Sequence, residues 1–199
     1  MRLKASLVLV LGVVLVFAAS PSFSQVVPAA TEGKVPLTIG GGVSDFLIDW
    51  GDSRRMIGVT VWADWRLHHL PALMDGLSIE VEGRDINYAR PASFTKLRQD
   101  TGLGGAIYSW QHYNRFHPYG KYLIGLGSVD FADPTNPYYT HDTRVVLAPG
   151  AGADYRIWRN VSIRADYEYQ FWHAIFGPHD LNPNGFTFGA TYNFGYRPR

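Results

Sequence analysis

Residues 161–171 read VSIRADYEYQF, and residues 186–196 read FTFGATYNFGY. In the first stretch Val161, Ile163, Ala165, Tyr167, Tyr169 and Phe171 share one face; Ser162, Arg164, Asp166, Glu168 and Gln170 share the other. In the second, Phe186, Phe188, Ala190, Tyr192, Phe194 and Tyr196 alternate with Thr187, Gly189, Thr191, Asn193 and Gly195. Successive side chains on a strand point to opposite faces, so unbroken alternation of this kind marks a strand with one apolar and one polar side. Its length and aromatic face suit a strand that crosses a bilayer obliquely, which takes about 9–11 residues.

The N-terminus sets the compartment. Arg2 and Lys4 precede an uncharged apolar run over 5–19, and Ser22-Phe23-Ser24 places small residues where a signal peptidase reads them. This layout predicts a secretory signal peptide over residues 1–24 and a mature domain over 25–199. Taking Arg2 and Lys4 from the 18 basic residues leaves a near balance with the 17 acidic ones, which argues against a nucleic-acid partner. With no Cys, disulfides, thiolate metal sites, lipid-modified N-termini and cysteine nucleophiles are excluded. The 21 Gly, 12 Tyr, 11 Phe and 6 Trp fit a curved, aromatic-belted sheet rather than a helical protein.

Eight strands are predicted: 34–44, 56–66, 77–88, 101–110, 119–129, 144–155, 161–171 and 186–196. The third begins with Leu77, Ile79 and Val81 against Ser78, Glu80 and Glu82, then loses phase near Gly83 and Asp85, where a bulge is expected. Pro149 within the sixth predicts a bend or bulge. The connections 45–55, 89–100, 130–143 and 172–185 are long and rich in Pro, Asp, Asn and Gly; those at 67–76, 111–118 and 156–160 are shorter. That alternation predicts an antiparallel up-and-down transmembrane barrel of eight strands, with both termini and the tight turns on the periplasmic side.

Alternation alone does not say which face meets lipid, and a soluble periplasmic barrel with an apolar core is the rival. Volume separates the two. An eight-stranded barrel has room inside only for side chains of ordinary packing. Phe186, Phe188, Tyr192, Phe194, Tyr167, Tyr169 and Phe171, from just two neighbouring strands, would overfill it. The opposite face offers small and polar groups, together with Arg66, Arg84, Lys121, Arg144 and Arg164 beside Asp64, Glu80, Glu82, Asp154, Asp166 and Glu168. Facing lipid at the midplane, a single Arg would cost about 2–4 kcal/mol. The expectation is therefore an apolar exterior around an ion-paired interior, plugged by its own side chains and without a stable open pore.

On these residues the chain resembles the small outer-membrane barrels of the opacity and OmpX/OmpA type, the outer membrane β-barrel domain family of Gram-negative bacteria. The resemblance covers nearly all of 25–199 as pattern. Its sharpest piece runs from Thr187 through Gly189 and Tyr192 to Phe194, which is similar to the C-terminal insertion signal that the barrel-assembly machinery reads in that family. Family members commonly finish on the aromatic residue, whereas this chain continues through Gly195-Tyr196-Arg197-Pro198-Arg199. The resemblance implies residence in the outer membrane, contact with its lipid, no cofactor and no reaction. It also implies surface loops open to adhesion or to a host or envelope ligand. Among the loop residues Trp50, Tyr138, Tyr139, Trp172 and His173 are best suited to contact, since binding surfaces favour aromatics.

A lipid-A-modifying enzyme is the alternative on this scaffold. His173, His179 and Asp180 lie close in sequence, but the His-x-Ser-Asn segment of the deacylase barrels is replaced by His173-Ala174-Ile175-Phe176, and no Ser lies between 163 and 199. A nucleophile is thus lacking where that chemistry needs one. His68-His69 and His141-Asp142 lack further ligands at metal spacing, and the segment with Asp130, Asp133 and Asn136 lacks the glycine and the twelfth-position acid of a calcium loop.

Overall fold

The computed structural model describes residues 36–48, 54–67, 70–71, 74–87, 97–110, 114–131, 141–175 and 179–194. Within them the strands are β1 (Leu37–Ile48), β2 (Arg54–Arg66), β3 (Leu77–Asn87), β4 (Leu97–Ser109) and β5 (Phe116–Phe131), followed by β6 (His141–Arg156), β7 (Val161–Tyr169), β8 (Phe171–Ile175), β9 (His179–Leu181) and β10 (Asn184–Asn193). Each pairs antiparallel with its neighbours, and β1 closes the sheet on β10 from Thr38 opposite Asn193 to Leu47 opposite Asn184. β8 prolongs β7, and β9 leads into β10, so the ten segments form eight staves of one closed barrel.

The interruptions have a local cause. Pro183 has no N–H to give a ladder, and it stands between β9 and β10; the Gln170 N–H donates to its carbonyl at 2.7 Å, which holds β7 and β8 in line. Pro149 does not bulge β6, one of the two outcomes the sequence predicts there. Its pairing with Tyr122 lies inside a β5–β6 register that runs unbroken from Tyr155 to His141. The missing N–H falls on the other side, where the ladder lapses between Gly150 opposite Glu168 and Leu147 opposite Phe171.

The apolar face points outward over the lower part of the staves, except on β4, where Leu103 and Ile107 point inward. Val43, Val59, Val61, Val81, Leu126 and Phe188 all lie open on the outside, Val81 and Phe188 at 61% exposure each. Toward the ends of the strands remote from the termini the pattern inverts. On β5 the outward series Tyr122, Ile124, Leu126 gives way to Ser128 and Asp130, while the inward series passes from Lys121 to Leu123 and Val129. The bulge expected at Gly83–Asp85 is absent, because β3 keeps one register against β2 and β4 throughout. What changes there is the face that is apolar: Arg84 and Ile86 are buried inside while Asp85 and Asn87 look out.

The barrel interior therefore has two tiers. A polar tier fills the half nearer the termini, and a dry tier that includes Phe46, Met56, Ile86, Leu123, Val146 and Trp172 fills the other half. This corrects the expectation of a uniformly polar lumen. A strand that leaves the bilayer enters water, so its outward side chains become polar and its inward ones form an ordinary core.

Candidate functional site: the ion-paired lumen and the outer rim

Lys121 stands at the centre of the polar tier. Its Nζ lies 2.8 Å from Glu82 Oε2, 3.0 Å from Asp166 Oδ2, 3.0 Å from Glu168 Oε2 and 3.4 Å from Glu80 Oε1. Arg84 donates to Glu82 at 2.6 Å and to Glu168 at 2.7 Å, and its guanidinium covers the Phe46 ring at 4.1 Å. Arg164 donates to Asp64 at 2.7 Å, to Glu80 at 2.8 Å and to Asp154 at 2.9 Å. Tyr119 gives its hydroxyl proton to Asp166 at 2.6 Å, and Ser44 bridges Thr60 and Thr187 at 2.5 and 2.7 Å.

The alternation of β1, β2, β3, β5, β6, β7 and β10 aims these groups at one axis, and each of the three cations is shared among several carboxylates. Such sharing is what buried charges require, since an ion removed from water is tolerated only when its partners replace the lost hydration. Two further residues of the predicted interior set lie at other heights in the barrel. Arg144 sits near the opposite mouth, half-buried, and pairs with Asp142 at 3.1 Å. Arg66 is half-buried at the end of β2 near the termini, where its backbone N–H donates to Pro36. Alternation placed both on the inward face correctly, but it carries no information on height along the axis.

The outer rim is a polar belt on the outside of β3 to β6. Asn87, Arg98, Asp130 and His141 are cross-strand neighbours in one row, and Asp85, Asp100, Ser128 and Thr143 form the row beneath. Arg98 bridges Asp85 at 2.9 Å and Asp100 at 3.1 Å. His141 meets Asp130 at 2.5 Å through Nδ1 and the Thr143 hydroxyl at 3.1 Å through Nε2, with Ser128 at 3.3 Å from Nδ1. Further round, His173 on β8 lies 3.4 Å from Asp180 on β9, and Asp180 also accepts from the Ala174 N–H at 3.2 Å.

Of the residues expected to make contacts at the rim, His173 is exposed there. Trp172 is not: it points inward at 0% exposure and donates to Gln170 at 2.9 Å. The segment 172–185, read from its Pro, Asp and Asn content as a loop, is largely strand, and strand alternation turns Trp172 into the dry tier. Trp50, Tyr138 and Tyr139 lie outside the described residues, as does the side chain of His179. The rim rows escape the sequence reading because Arg98, Asp100, Asp130, His141 and Thr143 fall in segments predicted as loop; their preserved period of two is the available signal.

A closed antiparallel barrel, apolar outside and charged within, is the form of proteins that live in the bacterial outer membrane. A model of the outer membrane protein beta-barrel domain matches residues 13–194. The chain belongs to that family. It is a small outer-membrane barrel of eight strands. Among solved structures it is similar to Neisserial surface protein A, with a TM-score of 0.66 at 15% identity over 80% of this chain and 97% of that one. It is similar also to Ail, the attachment invasion locus protein of Yersinia pestis, with a TM-score of 0.58 at 16% identity over 79% of this chain and 97% of that one. A second structure of Ail, in complex with the heparin analogue sucrose octasulfate, gives a TM-score of 0.57 at 16% identity, again over 79% of this chain and 97% of that one. At such identities the likeness is one of fold. No curated protein matches the sequence.

In this barrel the last strand shows how the expected insertion residues sit. Thr187 is buried against Ser44, and a side chain on Gly189 would strike the Gly41 carbonyl of β1 at the closing seam. Tyr192 and Phe194 lie outside near the termini, with ring centroids 4.8 Å apart.

Proposed function

We propose that the protein is a structural and surface-interaction barrel, delivered by a cleaved signal peptide over 1–24 and inserted through recognition of Thr187, Gly189, Tyr192 and Phe194 by the assembly machinery. The observation that carries the interaction role is the inverted upper section. β5 and β6 are each 16 residues long, about five more than a crossing needs. At ~3.3 Å per residue and a tilt near 40°, that excess lifts the rim roughly 12 Å above the hydrocarbon. A purely membrane-embedded barrel has no use for a soluble-type cap with a dry core; a platform that holds loops clear of the surface does.

The likeness to Ail brings adhesion forward as the kind of interaction, with His173 and the loops bearing Trp50, Tyr138 and Tyr139 as the contact residues. The rim cations described do not present a bare polycationic face, since Arg55, Arg98 and Arg144 each lie within 3.6 Å of a carboxylate. The test is binding of intact cells displaying the barrel to immobilised matrix proteins and to heparin. Binding that disappears when 132–140 is replaced by a short Gly-Ser link supports the role. Binding equal to that of cells without the barrel overturns it.

A second reading rests on Asp130, His141 and Thr143, whose order of carboxylate, imidazole and hydroxyl is that of ester hydrolases. It ranks second because the acid and the base are about half exposed, whereas a working array keeps its carboxylate buried. Lipid-A and phospholipid mass spectra from cells with the native protein and with Thr143→Ala and Ser128→Ala together decide it.

A further inference from the structure

Two connections at the end of the barrel that carries the termini combine arginine with exposed aromatic rings. The stretch 110–118 reads WQHYNRFHP and the stretch 155–163 reads YRIWRNVSI; together they hold Arg115, Arg156 and Arg159 and no carboxylate. The barrel brings them side by side. Phe116 is paired with Tyr155 across β5 and β6, and the Arg156 N–H donates to the Arg115 carbonyl at 2.8 Å. The second turn is closed by the N–H groups of Ile157 and Trp158, which donate to the Val161 carbonyl at 3.0 and 3.1 Å.

Arg115 and Arg159 are both exposed at this corner. Around them Trp110, Phe116, Tyr155 and Trp158 turn their rings outward, Trp158 at 68% exposure, and Trp110 is braced edge-on against Tyr108 at 5.3 Å. Aromatic rings of this kind seat at the level of lipid headgroups, where one end is apolar and the other wet. Rings seated there would hold the two guanidinium groups near the plane of the phosphates. Arginine matches phosphate oxygens by paired N–H donors, and an anionic surface attracts each such cation.

We infer that this corner is a binding site for anionic phospholipid headgroups of the periplasmic leaflet. The rings anchor the glycerol and upper acyl region, and Arg115 and Arg159 take the phosphodiester. The opposite end differs in kind, because its described arginines Arg55, Arg98 and Arg144 already lie against carboxylates.

The test uses the full barrel in nanodiscs of equal phosphatidylglycerol and phosphatidylcholine, followed by mild extraction and native mass spectrometry of the lipids retained. The wild-type protein is expected to hold phosphatidylglycerol in preference, with about a fivefold loss of that preference for each arginine removed in Arg115→Gln and Arg159→Gln. Arg115→Lys with Arg159→Lys should keep most of it, as should Arg55→Gln at the far rim, and a heat-modifiable gel shift checks that all are folded. Retained lipid in the bulk ratio for the wild type, or an undiminished preference in the double Gln variant, overturns the site.

Discussion

The indole of Trp172 occupies the space that a side chain on Gly127 would fill: a Cβ built at Gly127 meets the six-membered ring directly. Gly127 faces inward on β5, across β6 from the stave that carries Trp172, so the ring reaches over the lumen beneath the outer mouth. From there a chain of hydrogen bonds leads downward. Trp172 donates to Gln170 at 2.9 Å, Gln170 donates to Glu168 at 2.8 Å, and Glu168 receives Arg84 at 2.7 Å. The dry tier and the ionic tier are thus joined, and the lumen is closed twice.

Gly127→Val should unseat the indole and destabilise the barrel by about 1–3 kcal/mol, the usual penalty of overpacking. Trp172→Ala leaves a void instead and should cost about 3–5 kcal/mol. Urea unfolding in lipid vesicles, followed by the gel shift between folded and unfolded forms, measures both.

Lys121→Met should be among the most damaging single changes. It removes the cation that lies within 3.4 Å of four carboxylates, leaving Arg84, Arg164 and Tyr119 as too few partners for them in a buried site. Breaking a buried ion pair from one side costs about 3–5 kcal/mol, and the same unfolding experiment reads it. Lys121→Arg, which keeps the charge, should recover part of the loss.

A plugged lumen predicts electrical silence. Reconstitution in planar bilayers should give no uniform conductance steps, since eight staves leave room only for side chains and both tiers here are filled. Regular unitary steps from the wild-type protein would contradict this picture of the interior.

Depth should govern the cost of a charge on the outside. Val81→Arg, in the lower section of β3, is expected to lose about 2–4 kcal/mol, whereas Asn87→Arg, above the inversion on the same strand and face, should cost about 0–1 kcal/mol. Equal penalties at the two positions would mean that the upper section is also wrapped in lipid.

Much of this was legible in the sequence. The period of two over 161–171 and 186–196 fixes strands, and ring volume fixes which side of them meets lipid, because both arguments depend only on local alternation and the narrowness of the barrel. Height along the axis is different. The exchange of apolar and polar faces at Asp85, Ser128 and Thr143 happens without any break in register, and in a linear sequence it is indistinguishable from a bulge or the start of a loop. The same blindness hides how far along the axis Arg66 and Arg144 lie, whereas Trp172 is misplaced because 172–185 reads as a loop. Connection length was also a weak guide, since 67–76 joins β2 to β3 with more residues than 49–53 uses between β1 and β2 at the opposite end.

The most direct measurement is a nitroxide scan along β2 in lipid vesicles, made simple by the lack of native Cys. Labels at Val59→Cys and Val61→Cys should collide freely with oxygen and hardly with a water-soluble nickel chelate, while one at Arg55→Cys should show the reverse. Preferential collision with the nickel chelate at Val59 and Val61 would contradict the account, since it would put water against the flank assigned here to lipid.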